Sequence, residues 1–124
     1  MTNQEHASLE EYVDMPELLA RVDNDRDLLA ELFTLFQDDY PRLREALRGA
    51  ADDGNPPQVE RAAHALKGML ANLSIQQGAE LAANVEAAAR AGDARKIQQA
   101  MTAFHREEAG LLEAVGAFLA GGEP

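Results

Sequence analysis

The feature that most constrains this chain is the recurrence of apolar residues every three or four positions between helix-capping signals. The longest such series consists of Leu28, Leu29, Leu32, Phe33, Phe36, Tyr40, Leu43 and Leu47. This spacing places apolar side chains on one face of an α-helix. No segment carries a strand signal of any strength, so the sequence predicts an all-α protein.

Capping residues divide the chain into one short helix and four long ones. Asp23 or Asn24 should cap the first long helix, which should end near Gly49 and bend or split at Pro41. The expected caps of the next three helices are Asn55 (followed by Pro56), Ser74 and Asp93.

Four long amphipathic helices joined by short loops predict an antiparallel four-helix bundle. An additional short N-terminal helix over residues 9–22, interrupted at Pro16, should cover one end or side of the bundle. We expect residues 1–8 to form a flexible N-terminal tail and residues 9–121 to form a single domain, because 124 residues suit one core.

Charge and composition narrow the classes of partner and compartment. A formal net charge of −11 repels phosphate backbones and anionic lipids, so we expect no nucleic acid and no membrane partner. No apolar run approaches the roughly 20 residues of a membrane span, and no signal peptide is evident. We therefore expect a cytoplasmic protein. The absence of cysteine excludes disulfides and thiolate metal sites.

One histidine lies on the outer face of its predicted helix. At about 100° per residue, His64 points roughly 160° away from Leu66 and its apolar stripe. Gly68 lies one turn further along that outer face, although a glycine inside a helix costs about 1 kcal/mol. Lys67 and Arg61 add positive charge nearby, which suits an imidazole that carries a phosphoryl group. On spacing alone, an ordinary exposed histidine is the favoured explanation, because H-x-x-K-G is a short pattern.

Three stretches of the sequence resemble one known family. They are "DNDRDLLAELFTLFQDDYPRLREAL" (residues 23–47), "ERAAHALKGMLANL" (residues 60–73) and "VEAAARAGDARKI" (residues 85–97). They resemble the long second helix, the phosphoacceptor helix and the turn into the last helix of the histidine-containing phosphotransfer (HPt) domains of bacterial multi-step phosphorelays. The chain therefore looks like an HPt domain over nearly its whole length.

The resemblance implies a role for several residues. His64 would be the phosphoacceptor, Lys67 would stabilise the phosphoryl group with Arg61 nearby, and Gly68 would leave room for the partner. An ungapped alignment puts Glu86 where family members carry a residue that hydrogen-bonds the acceptor ring. Glu86 falls on an apolar stripe and needs a partner there, although at the edge of the stripe it could instead reach water.

The resemblance also implies partners and a docking face. The partners would be response-regulator receiver domains and a hybrid sensor histidine kinase, and the receiver would supply Mg²⁺, so we expect no cofactor on this chain. We expect a phosphotransfer intermediate without autonomous kinase activity, and a monomer. The docking face would comprise Glu60, Arg61, Gly68 and Ala71, with an apolar part from Met15, Leu18 and Leu19, which could instead cap the bundle.

Two other functions compete with this hypothesis. A phosphorylation-independent helical interaction module would keep the bundle and the docking face without carrying phosphate. A di-iron bundle would need Glu-x-x-His pairs, and neither His64 nor His105 has a glutamate three residues before it. We therefore expect no metal site. Glu108 falls on the apolar stripe of the last helix, and the sequence offers no explanation for it.

Overall fold

The computed structural model describes residues 8–121 as a 3₁₀ turn followed by five α-helices. The turn is Leu9–Glu11, and the helices are α1 (Met15–Arg21), α2 (Arg26–Asp52), α3 (Pro56–Asn72), α4 (Gln76–Ala91) and α5 (Ala94–Leu119). Helices α2 to α5 each pack against the next, and α5 packs back against α2. This arrangement confirms the predicted all-α four-helix bundle, and the described residues include no strand.

The start of α2 differs from the prediction. Asp25 is the cap, and its Oδ1 accepts a hydrogen bond of 3.0 Å from the Leu28 amide. Asp23 and Asn24 have φ angles of 53° and 59°, so they form the left-handed turn that precedes the helix. A side-chain cap was predicted correctly, but the residue that forms it, Asp25, follows the predicted Asp23 or Asn24 by two or one positions.

The predicted split of α2 at Pro41 is wrong, and so is its predicted end near Gly49. The helix runs unbroken from Arg26 to Asp52, with Pro41 exposed on its outer side. Proline removes only one helical hydrogen bond, and the buried side chains of Phe36, Tyr40 and Leu47 hold both halves against the same core.

Ser74 is not the cap of α4. Its φ angle is 56° and it is buried, while α4 begins after Ile75 without any side-chain cap. The Ser74 carbonyl instead accepts a hydrogen bond of 2.9 Å from the Asp14 amide, which ties the N-terminal segment to the α3–α4 connection. The predicted caps of α3 and α5, Asn55 and Asp93, are confirmed by hydrogen bonds to the Gln58 and Lys96 amides.

The N-terminal segment covers the bundle as a turn and a short helix rather than as one helix over residues 9–22. Asp14 caps α1, and Pro16 lies in the first turn of α1, where its missing N–H is not needed. Ser8, expected in the tail, caps the 3₁₀ turn through a reciprocal pair of hydrogen bonds with Glu11 and the Glu10 amide. Residues 1–7 of the expected tail lie outside the described residues.

The buried residues of the bundle include one carboxylate that the sequence left unexplained. Glu108 is only 2% exposed, and the Tyr40 hydroxyl donates to its Oε2 over 2.6 Å. His105 Nδ1 lies 2.9 Å and Arg44 Nε 3.3 Å from its Oε1. These partners offset the cost of removing the carboxylate from water. Burial raises the pKa of the Tyr40 hydroxyl, and its hydrogen bond to Glu108 raises that pKa further.

Replacing Tyr40 with Phe should destabilise the fold by about 1.5–3 kcal/mol, because Glu108 then loses a hydrogen bond inside the core. Urea unfolding at neutral pH measures the loss. Since the pKa of the Tyr40 hydroxyl is raised in the folded state, the stability that this hydroxyl contributes is lost as the pH rises above about 10. The difference in unfolding free energy between wild type and Tyr40→Phe should therefore shrink above that pH. A double variant with Glu108→Gln is the control. A loss in Tyr40→Phe below about 0.5 kcal/mol would contradict this role.

None of the helices within residues 8–121 is both long enough and apolar enough to cross a membrane.

Candidate functional site

His64 lies in the middle of α3 with its ring directed away from the core. Its side chain is 67% exposed, whereas its helix neighbours Ala63 and Leu66 are completely buried. The outward placement expected from the helical spacing is therefore confirmed. The helix supplies a rigid base for the ring, because α3 is anchored on both sides by α2 and α4.

Glu86 on α4 fixes the orientation of this ring. Its side chain is only 8% exposed, and its Oε2 lies 2.9 Å from His64 Nδ1. Its Oε1 lies 2.8 Å from Lys67 Nζ. Of the two explanations open from the sequence, the structure thus supports the one in which Glu86 is paired rather than reaching water.

The charge state of Glu86 follows from these contacts. The hydrogen bond from Lys67 lowers the pKa of the Glu86 carboxyl most, burial opposes this, and the hydrogen bond to His64 lowers it further. The carboxylate is therefore ionised at neutral pH and acts as an acceptor. Since it accepts from Nδ1, the proton of the neutral imidazole lies on Nδ1 and the lone pair lies on Nε2.

Arg90 is a member of the site that sequence reasoning missed. Its Nη2 lies 3.2 Å from Glu86 Oε2, and its Nε donates to Glu60 Oε2 over 2.9 Å. The hydrogen bond and charge of Glu60 raise the pKa of the Arg90 guanidinium. Its position four residues after Glu86 on the same helix was the available signal. Arg90 links α4 to Glu60 on α3 beside the histidine.

Gly68 and Ala71 continue the exposed face of α3 beyond His64. A Cβ atom added at Gly68 would meet nothing within 4 Å, so the position is open to an approaching molecule. Arg61 is exposed, and its Nη1 donates to Gln58 Oε1 over 3.2 Å. Arg61 therefore lies beside the imidazole as a neighbouring charge, engaged with its own helix.

The apolar part of the expected docking face needs correction. Met15 is 6% exposed and Leu18 is 1% exposed, because both are packed into the core beneath α1, and Leu19 is partly buried against that core. These residues cap the bundle and offer little surface to a partner. The exposed large apolar residues are instead Leu28 and Leu35 on α2, which are 37% and 59% exposed.

Leu35 borders a shallow depression between α2 and α3. Its lining includes Leu32 and Met69, the latter adjacent to Gly68 in the chain. The apolar periodicity of α2 did not reveal this surface. The apolar residues of α2 occupy a wider face of the helix than the face that is buried, so the pattern does not show which of them are exposed.

The chain also has a clear relation to one known family. A family model described as an Hpt domain matches residues 31–118, which is more than half of the chain and includes all of α3 and α4. No curated protein and no solved structure matches the chain. Within residues 8–121, no three His, Cys, Asp or Glu side chains are grouped so that they could hold a metal ion.

Proposed function

The chain belongs to the Hpt domain family, which performs histidine phosphotransfer in phosphorelays, and from this premise we propose that it carries the phosphoryl group on His64. We further propose that it shuttles this group between receiver-domain aspartates of a two-component pathway. Hpt domains interact with receiver domains and kinases. The partners proposed here are response-regulator receivers and the receiver of a hybrid sensor histidine kinase.

The single observation that carries the proposal is the pairing of an exposed imidazole with a buried carboxylate. Glu86 holds the proton on Nδ1 of His64, so Nε2 keeps its lone pair and faces the solvent side. Nε2 attacks the phosphorus of an aspartyl phosphate, and the P–N bond forms as the P–O bond to the aspartate breaks. The electron pair leaves with the aspartate carboxylate.

Two neighbours assist this step through charge and space. The positive charge that develops on the ring is balanced by Glu86, which lies 2.9 Å from Nδ1. Lys67 is only partly exposed and lies beside this carboxylate, and its ammonium adds positive potential for the phosphoryl oxygens. Gly68 leaves the next turn bare, so the receiver can bring its aspartate to Nε2.

The partner would supply the rest of the machinery. Transfer of a phosphoryl group needs charge neutralisation and positioning, for which Mg²⁺ held by carboxylates is the usual device, and we place that ion on the receiver domain. We propose that this chain has no autonomous kinase activity. Docking would use Glu60, Gly68 and Ala71 on α3, together with the exposed Leu35 on α2 in place of Met15 and Leu18.

Transfer of labelled phosphate tests this function. The wild-type chain is mixed with a panel of phosphorylated receiver domains, and the product is treated with acid and with base. We expect a label that is lost in acid and retained in base, as phosphohistidine requires. Binding of receivers without any labelling across a wide panel would favour the phosphorylation-independent interaction module.

Replacing Glu86 with Gln should slow transfer to His64 about tenfold or more. The amide cannot fix the Nδ1 proton as firmly, and a hydrogen bond to a charged group contributes about 1.5–3 kcal/mol. Rapid-quench measurement of the transfer rate at saturating receiver gives the effect. Glu80→Gln, which changes an exposed carboxylate on the same helix, is the matched control and should transfer normally. Equal rates in the two variants would contradict the role of Glu86.

The same substitution has a predictable pH dependence. Because the folded-state pKa of Glu86 is lowered, the stability that it contributes is present at neutral pH and is lost as the pH falls below its ordinary value of about 4.3. The difference in unfolding free energy between wild type and Glu86→Gln should therefore shrink below about pH 4. Urea titrations over this pH range measure it.

A further inference from the structure

A second histidine in the bundle is held in the same manner as His64. His105 Nδ1 lies 2.9 Å from Oε1 of Glu108, just as His64 Nδ1 lies 2.9 Å from Oε2 of Glu86. In both pairs the carboxylate is buried and also contacts a basic side chain, Arg44 in the case of Glu108. A buried carboxylate that orients an imidazole leaves the other ring nitrogen available, an arrangement typical of binding and catalytic histidines.

The surroundings of the two rings differ in a way that separates their functions. The His105 side chain is 38% exposed, compared with 67% for His64, and it lies on the wall of a cavity between α2, α5 and the start of α3. A folded domain can approach His64, whereas a recessed ring is better suited to a small molecule. His105 therefore requires a different explanation from the phosphotransfer site.

The cavity has the size and lining of a small-ligand site. Its volume is about 350 Å³, at the lower end of the range for such pockets. Part of its lining is apolar, contributed by Val59, Ile97 and Met101. The basic side chains are Arg48 and His105, and the acidic one is Asp52. An apolar surface next to a few charged groups matches an amphipathic ligand.

We propose that this cavity, termed the His105 cavity, binds a small amphipathic carboxylate. Its acidic group would pair with His105 Nε2 and the Arg48 guanidinium, and its hydrocarbon part would cover Ile97 and Met101 at the cavity surface. Arg48 is available for this pairing, since its ion pair with Glu45 is an exposed contact of 3.4 Å that contributes little. The proposal is independent of phosphotransfer on His64, and it does not require a receiver domain.

The proposed pairing requires a proton on His105 Nε2. A carboxylate pairs with Nε2 only when that nitrogen carries a proton, so binding favours the imidazolium form of His105. Glu108 on the same helix supports this form, Arg44 and Arg48 oppose it, Asp52 on the cavity wall supports it, and Tyr40 stays neutral. The ligand carboxylate and the imidazolium would then form a charge-assisted hydrogen bond beside the Arg48 guanidinium.

The probe for the test is octanoate, titrated into the full chain and followed by amide chemical shifts and calorimetry. We expect one saturable site for octanoate, with chemical-shift changes at the cavity wall. 1-Octanol, which lacks the acidic group, should bind about tenfold more weakly than octanoate. These two measurements use the wild-type chain and so need no variant to fold.

Variants then assign the charged groups. Arg48→Gln and His105→Gln should each weaken octanoate binding about tenfold. Arg42→Gln is the matched control for Arg48, because it removes an exposed arginine of α2 with a similar ion pair, to Asp39, away from the cavity. The absence of saturable octanoate binding up to about 10 mM, equal binding of 1-octanol, or equal loss in Arg42→Gln and Arg48→Gln would each overturn the proposal.

Discussion

Replacement of His64 with Gln is expected to abolish labelling by phosphorylated receivers, with a loss of at least about a thousandfold. Glutamine fills a similar space but has no nitrogen lone pair that can attack phosphorus. The test compares the wild-type chain and the variant with the same receivers, separates the products by electrophoresis and quantifies the label. No other described group is placed to take over, because the second imidazole, that of His105, is recessed in a cavity on the α2–α5 side.

The His64 variant should keep its fold, which makes the loss of labelling interpretable. The ring is 67% exposed, and Glu86 keeps its ion pairs with Lys67 and Arg90 in the variant, so the unfolding free energy in urea should fall by no more than about 1 kcal/mol. His6→Gln is the control, since it removes a different histidine of the chain and should be labelled normally. Retention of label in His64→Gln would mean that another residue is the acceptor.

Two of the four long-helix caps and the direction of the His64 side chain could be predicted from the sequence. The caps Asn55 and Asp93 and the outward direction of His64 follow from the residues and the 3.6-residue period. Ser74 and Pro41 were misjudged for opposite reasons. Ser74 has a left-handed backbone angle and lies in a buried connection instead of capping a helix, and packing against the core keeps α2 continuous through Pro41.

Contacts between distant segments were harder to predict. A carboxylate on an apolar stripe signals that a partner exists, and both Glu86 and Glu108 gave that signal. For Glu86 the family resemblance indicated the partner ring. For Glu108 the donor is Tyr40, 68 positions away in the chain, and no pattern along the sequence connects them. The burial of Met15 and Leu18 likewise depends on the position of α1 against the bundle. The hydrogen bond from the Asp14 amide to the Ser74 carbonyl holds α1 in that position.

Gly68 should show opposite effects of one substitution on stability and on function. Replacing it with Gln adds a side chain where nothing lies within 4 Å, so the fold should tolerate the change. Removing a glycine from a helix interior should raise the unfolding free energy by about 0.5 kcal/mol. Side chains four residues apart on a helix are neighbours, so the new side chain would stand beside His64 and obstruct the receiver. We expect transfer to fall at least about tenfold.

Gly49→Gln separates the two effects. Like Gly68, Gly49 is exposed inside a long helix, and a Cβ atom added there would meet nothing within 4 Å. Gly49 lies near the C-terminal end of α2, whereas Leu28 lies near its N-terminal end. It should gain similar stability in urea unfolding and should keep normal transfer. Gly68→Ala should fall between wild type and Gly68→Gln in transfer rate, because a methyl group blocks less of the approach. Normal transfer by Gly68→Gln would mean that the receiver does not cross this turn of α3, and the docking face would then have to be assigned elsewhere.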